Sequence, residues 1–288
     1  MEQLARRPIV VVMEATSLIS AFECMNNING NVTIFLFDKH GFKTYTITDP
    51  SQDSTTPKKK KASVVHKREV SQFNGIFASE WLSRYYYDET LGHTYAGSVN
   101  TDMFLSIMKN LKKEVLEFSV NLCDDGEMDK IHMRVPKGEG EKYINFDSSI
   151  DQVKYIDPLT KYYSNVEPIA KPFNKTFQLT CSGIRQTKCT SVRFVMNTDN
   201  SKLSIILLSD GDNVISRETL SHANEPDADT DTLTSIEVPA DCWITKVAKL
   251  SNNACTQIYM SEDRRIPLIF KTHIGAQGYA ICSIRMVK

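Results

Sequence analysis

The sequence predicts an α+β fold of two similar domains, each with two helices packed on antiparallel sheets. Three observations carry this expectation. Four stretches place apolar residues at helical spacing, and each is followed by strand-like runs broken at turn residues. The order helix, strands, helix, strands occurs twice along the 288 residues, an internal repeat by pattern. Between the two occurrences lies QVKYIDPLTKYYSNVEPIAKP, whose prolines at 158, 168 and 172 prevent a continuous helix or a central strand. The expected division is a domain over 1–151, an extended connector over 152–172 and a domain over 173–288.

In the first half, Ile9 to Met13 is a β-branched run, and Thr16 opens a helix with Leu18, Ala21, Phe22 and Met25 on one stripe. Asn31 to Asp38 and Phe42 to Thr48 form a hairpin whose Asp-Lys-His-Gly turn supplies a glycine for positive φ. From Asp49 to Glu69 the apolar pattern stops and Ser, Thr, Pro and Lys dominate, which predicts a mobile insertion. Its four-lysine run, ending at Lys61, reads foremost as a solvated loop, as charge runs usually are, and otherwise as an import signal or a phosphate contact. Strands follow at Phe73 to Ser79, Arg84 to Tyr87 and Tyr95 to Val99. Asn100 then caps a second helix with Asp102 in its first turn and Phe104, Ile107, Met108 and Leu111 on its apolar stripe. Val115 to Leu122, Lys130 to Val135 and Lys142 to Phe146 complete the half as strands.

The second half starts with a weaker helix, Lys175 to Ile184, carrying Phe177, Cys181 and Ile184 at i, i+4 and i+7. Ser191 to Met196, Lys202 to Leu208 and Asn213 to Leu220 are strand-like. A helix is expected from Pro239 to Ser251, because proline suits the first helical position and Asp241 the first turn. Trp243, Val247 and Leu250 make its stripe, and Lys246 and Lys249 lie apart from it. Thr256 to Met260, Pro267 to Lys271 and Tyr279 to Met286 are the closing strands.

Composition excludes several classes. The chain is 41% hydrophobic and 24% charged, as expected for a soluble globular protein. A net charge of −1 supplies no overall basic field, so any nucleic-acid contact must come from a local patch. Seven cysteines, an odd number with no C-x-x-C pair, predict reduced thiols in a reducing compartment. The apolar run Pro8 to Met13 is too short for a signal or a membrane span, so the expected location is intracellular, with no membrane partner.

Catalytic signatures are missing: there is no H-E-x-x-H, no phosphate-binding G-x-x-x-x-G-K, no G-x-S-x-G and no G-x-G-x-x-G. Asp227, Asp229 and Asp231 suggest a calcium loop, yet its sixth and twelfth positions are Thr232 and Val238 where Gly and Glu are required. Neither a cofactor, nor a metal site, nor catalytic residues are expected.

The run VAKLSNNACTQIYMSEDRRIPLIFKTHIGAQGYAICSIRMVK resembles the C-terminal end of proliferating cell nuclear antigen, the eukaryotic DNA sliding clamp. EATSLISAFECMNNINGNVTIFLFDKHGFKTYTI resembles the first helix and hairpin of the same family. The resemblance covers roughly Ile9 to Val287. It implies the DNA clamp, or processivity, fold assembled as a pseudo-sixfold trimeric ring around duplex DNA. In that family the helices line the hole, which assigns Lys109, Lys112, Lys113, Lys175, Arg185, Lys188, Lys246 and Lys249 to sequence-independent contact with DNA phosphates. Thr16 to Ile28 departs from this picture, since it carries Glu23 and no basic residue.

The resemblance also implies a partner-peptide pocket from Ile47, Tyr155, Ile156, Leu159, Pro267, Ile284 and Met286. DNA polymerase and other replication or repair proteins would dock there, in the nucleus or a viral replication compartment. Subunits of a homotrimer would pair through the edge strands around Tyr143, Ile144, Asn145 and Phe146, and around Val214, Ile215, Ser216 and Arg217. Two other readings stay open: a monomeric, herpesvirus-like processivity subunit binding DNA with one basic face, and an enzyme whose metal site is dispersed along the chain.

Overall fold

Local sequence and long-range pairing together set each element. The computed structural model describes residues 8–28, 32–47, 69–91, 95–122, 128–137, 140–147, 159–187, 189–197, 202–209, 213–220, 233–239, 244–250, 253–263 and 265–286. Of the expected lysine-rich insertion 49–69, residues 49–68 lie outside them and Glu69 opens a strand.

Strand β1 (Ile9–Glu14) alternates as its sequence demands, with Ile9, Val11 and Met13 buried. It runs directly into helix α1 (Ala15–Asn27), whose N-terminus has no side-chain cap. Tertiary partners substitute: the Ala15 N–H donates to the Glu114 carbonyl at 3.0 Å, and the Glu14 N–H to Gln277 Oε1 at 2.8 Å. Leu18, Ile19, Phe22 and Met25 are buried, whereas Thr16, Ser20, Glu23 and Asn27 form the outward stripe.

Strands β2 (Val32–Asp38) and β3 (Gly41–Ile47) make the expected hairpin. Asp38 Oδ1 accepts the His40 N–H at 2.8 Å, and Gly41 has φ 136°. A Cβ at Gly41 would lie 2.2 Å from the Phe77 carbonyl oxygen, so glycine is required for both conformation and close approach. Then come β4 (Glu69–Ala78), β5 (Arg84–Tyr87) and β6 (Tyr95–Asn100). Helix α2 (Thr101–Met108) is capped as its sequence predicts, with Asn100 Oδ1 accepting the Met103 N–H at 2.9 Å. A 3₁₀ turn over Lys109–Leu111 extends it. Strands β7 (Val115–Leu122), β8 (Met128–Lys137) and β9 (Gly140–Asp147) follow.

Of the connector, residues 152–158 lie outside the description; Leu159–Tyr162 form a 3₁₀ turn, turns continue to Val166, and residues 167–172 form no helix. Ala170 and Phe173 bridge to Ile258 and Cys255, so the connector covers one side of β14 (Gln257–Tyr259). Helix α3 (Asn174–Gln186) is longer than its sequence periodicity indicates. Strands β10 (Ser191–Asn197), β11 (Lys202–Leu208), β12 (Val214–Leu220) and β13 (Leu233–Pro239) come next.

Here one expectation is corrected. Pro239 does not open a helix; it is the last residue of β13 and pairs with Ser191. Because β13 is an edge strand, a residue without an N–H is tolerated there. The fourth helix, α4, is a single turn, Ile244–Val247, and tightens into i→i+3 bonds from the Lys249 and Leu250 N–H groups. Strands β15 (Leu268–Ile274) and β16 (Gly278–Met286) end the chain's regular structure.

Among the described residues the strands form three antiparallel sheets. A five-stranded sheet has the order β5-β1-β7-β8-β9 and a four-stranded sheet the order β12-β11-β10-β13. The third, ordered β14-β15-β16-β4-β3-β2-β6, draws on both halves: β16 pairs with β4 from Tyr279 opposite Ile76 to Met286 opposite Glu69. One buried core runs from Ile9 to Ile284, with Phe22, Phe35, Phe42 and Phe104 in the first half and Phe177, Phe194 and Phe270 in the second. Among the described residues, Cys24, Cys181, Cys189 and Cys282 are buried and Cys255 is half-buried. No described helix is long and apolar enough to cross a membrane.

Candidate nucleic-acid interface

The helices form a chain of contacts: α1 packs on α2 and on α4, and α3 on α4. Their apolar stripes are spent on the core, so their polar stripes point away from the sheets. Lys109, Lys112, Lys113, Lys175 and Lys249 are exposed on these helices or the turns that end them, and Lys246 is half-buried. Lys109 and Lys246 lie in the last turns of their elements, where a cation is favoured by the unpaired carbonyls. Arg185 falls within α3 with its side chain outside the description, and Lys188 lies outside it altogether.

The sequence marked α1 as the helix with Glu23 and no basic residue, and the structure supplies the partner of that acid. Lys112 Nζ lies 3.3 Å from Glu23 Oε1, joining residues 89 apart in the chain. The backbone of Lys112 is tied to α1 as well, since the Thr16 hydroxyl donates to the Lys112 carbonyl. From the other side, the charge of Lys246 on α4 acts on Cys24; burial raises that thiol well above its usual range, and Lys246 opposes the shift. Glu23 on the outward stripe is thus paired with a lysine contributed by the end of α2.

Two strands expected to pair between subunits are edge strands. Strand β9, with Tyr143, Ile144, Asn145 and Phe146, ends the five-stranded sheet, and β12 ends the four-stranded one. Val214 is 58% and Ile215 38% exposed, Arg217 is exposed and Ser216 half-buried. An unpaired strand edge with apolar side chains is a template for another chain.

The residues assigned to a partner-peptide pocket are only partly brought together. Ile47 pairs with Gln72 and Met286 with Glu69, which puts both near the same end of β4 in the shared sheet. Tyr155 and Ile156 lie outside the described residues. Leu159 and Ile284 need correction: at 2% and 1% exposure they are core residues that offer no surface, and Pro267 is buried too. Apolar residues beside a connector read alike in sequence whether they line a socket or fill a core.

What the sequence did not reveal is a small, tyrosine-rich buried cluster that the connector helps to form. Leu159 and Tyr163 pack with Tyr259, Ile269 and Ile281, and Ile76 and Tyr279 border them. Lys271 Nζ lies 5.3 Å and 5.2 Å from the ring centroids of Tyr163 and Tyr279. A cleft of about 330 Å³ opens here, lined by Tyr163, Val166, Gln257, Tyr259 and Lys271 among others. Burial raises the phenols of Tyr45, Tyr163 and Tyr279, so they are neutral donors at ordinary pH.

No family model and no curated protein matches the sequence. Solved structures do match the fold. A PCNA2–PCNA3 complex from Sulfolobus tokodaii superposes with a TM-score of 0.68 at 18% identity, covering 96% of this chain and 98% of the other. Proliferating cellular nuclear antigen from Entamoeba histolytica superposes with a TM-score of 0.68 at 12% identity, covering 98% and 99%. Agreement over nearly the full length of both chains, at so low an identity, is agreement of architecture: this chain has the sliding-clamp fold of proliferating cell nuclear antigen, carried by a divergent sequence.

Proposed function

We propose that the protein is a DNA sliding clamp and polymerase processivity factor, working as a homotrimeric ring around duplex DNA. The observation that carries this reading is the layer of contacting helices with lysines on its outward side, in a chain whose edge strands β9 and β12 end two different sheets. Lysine–phosphate attraction is independent of sequence and exchangeable, which suits sliding. Edge pairing between different strands of successive subunits closes a ring when the rotation per subunit fits. A tether of this kind raises the effective concentration of a bound polymerase at the primer end, so no chemistry by the clamp is required. Partner proteins would dock beside the connector, between the Ile47 and Met286 end of the shared sheet and the cleft lined by Val166, Gln257 and Lys271. The site of action is inside the cell, where DNA is replicated or repaired, in a cellular or a viral setting.

The Glu23–Lys112 pair favours a second reading, because it neutralises part of the basic layer. On that reading the protein is a monomeric processivity subunit that touches DNA with one face only.

Replacing Lys109, Lys113, Lys246 and Lys249 together by Ala tests the DNA face. Association with a labelled duplex, followed from about 50 to 200 mM salt, should lose close to one unit of logarithmic slope per lysine that meets a phosphate. A slope equal to that of the unaltered protein would remove those lysines from the interface.

A further inference from the structure

We infer that Glu23 is an internal competitor for DNA, holding Lys112 in an ion pair that a phosphate must displace. This rests on the DNA-binding reading above and adds a residue that sets its strength. Helix α1 is the centre of the helical layer, touching α2 and its 3₁₀ extension on one side and α4 on the other. Its outward stripe, Thr16, Ser20, Glu23 and Asn27, carries one charge, and that charge is negative. Lys112 is fastened to this helix twice, through its carbonyl to the Thr16 hydroxyl and through Nζ to Glu23 at 3.3 Å.

Both partners are substantially exposed, Lys112 at 56% and Glu23 at 39%. An ion pair at that exposure is weak and exchangeable with solvent ions. A DNA phosphate placed at the layer meets Lys112 already occupied and Glu23 repelling it. Engagement therefore exchanges one ion pair for another and releases Glu23 from Lys112. The outcome is a looser grip than the number of lysines alone would give, which favours movement along DNA over fixed binding.

The test is equilibrium association with a fluorescently labelled duplex of about 40 base pairs between 50 and 200 mM potassium chloride. It compares the full-length protein with Glu23→Gln, Lys112→Ala and the double variant. One additional phosphate contact steepens the logarithmic salt slope by about 0.9, roughly a threefold to fourfold greater loss of affinity over this range. Glu23→Gln should show that steepening with tighter binding at the lowest salt, and the double variant should match Lys112→Ala, because the effect runs through Lys112. Circular dichroism of each variant confirms the fold. The inference is overturned if Glu23→Gln leaves the slope unchanged, or if it tightens binding equally when Lys112 is Ala, which would make Glu23 a general repulsion. If the unaltered protein shows no salt-dependent association with the duplex, the DNA-binding reading itself fails and takes this inference with it.

Discussion

Phe22 of α1 and Phe104 of α2 stack with ring centroids 4.2 Å apart and planes 22° from parallel. Phe35 of β2 joins both rings, at 5.8 Å and 5.9 Å, so two helices and the shared sheet meet at one aromatic contact beneath the lysine-bearing surface. Stacked rings at these separations add to the area they bury. The placement of the exposed cations thus depends on packing that none of them touches.

Phe104→Ala should accordingly cost about 3 to 5 kcal/mol, the usual range for emptying a buried aromatic site. Urea unfolding measures it: the midpoint should fall with little change in slope. A loss under about 1 kcal/mol would mean that the contact is not central to the first half.

Gly41→Ala should destabilise by more than about 1 kcal/mol, since alanine is strained at φ 136° and its Cβ meets the Phe77 carbonyl. Gly183, inside α3, is the contrast. An added Cβ there meets one flexible Leu207 methyl at 3.3 Å, so Ala at 183 should be tolerated better than Ala at 41. Thermal unfolding of the two variants side by side decides the order.

These two glycines also mark what could be read in the sequence. The hairpin turn at Gly41, the Asn100 cap and the Leu18 and Phe22 stripe of α1 are local features, and each forms where its sequence indicates. Pairing of β16 with β4 joins residues some two hundred positions apart, and no local pattern specifies such a register. Pro239 misled because a proline suits a first helical turn and the end of an edge strand equally. The Glu23–Lys112 pair was illegible for a related reason: Glu23 is on α1 and Lys112 just past the 3₁₀ turn that extends α2, and only the packing of these elements brings them together.

Tyr45 supplies a pH prediction. Burial first, then the negative charge of Asp38 and the neighbouring Tyr279, push its phenol from 10.0 up to about 12. Its neutral form is favoured in the folded state, so its contribution to stability is whole below about pH 10. Above that the unfolded chain ionises first, and the contribution fades as pH rises to about 12. Tyr45→Phe removes the group, and its thermal midpoint should decline less steeply between pH 10 and 12 than that of the unaltered protein. Parallel declines would show that Tyr45 does not titrate in this way.

Replacing Val214 and Ile215 together by Asp places charges on the exposed part of the β12 edge. Charged edge strands resist pairing with another chain. The variant should keep its circular dichroism spectrum and unfolding midpoint while losing self-association. Unchanged assembly would exclude this end of β12 from the subunit contact.

A closed ring of three subunits has a definite mass in solution. Light scattering across a dilution series, without DNA, should give a species near 98 kDa, three times the 32.6 kDa chain. A monomer of about 33 kDa that persists at every concentration would contradict the ring, leaving the sliding-clamp fold as a one-sided DNA-binding subunit.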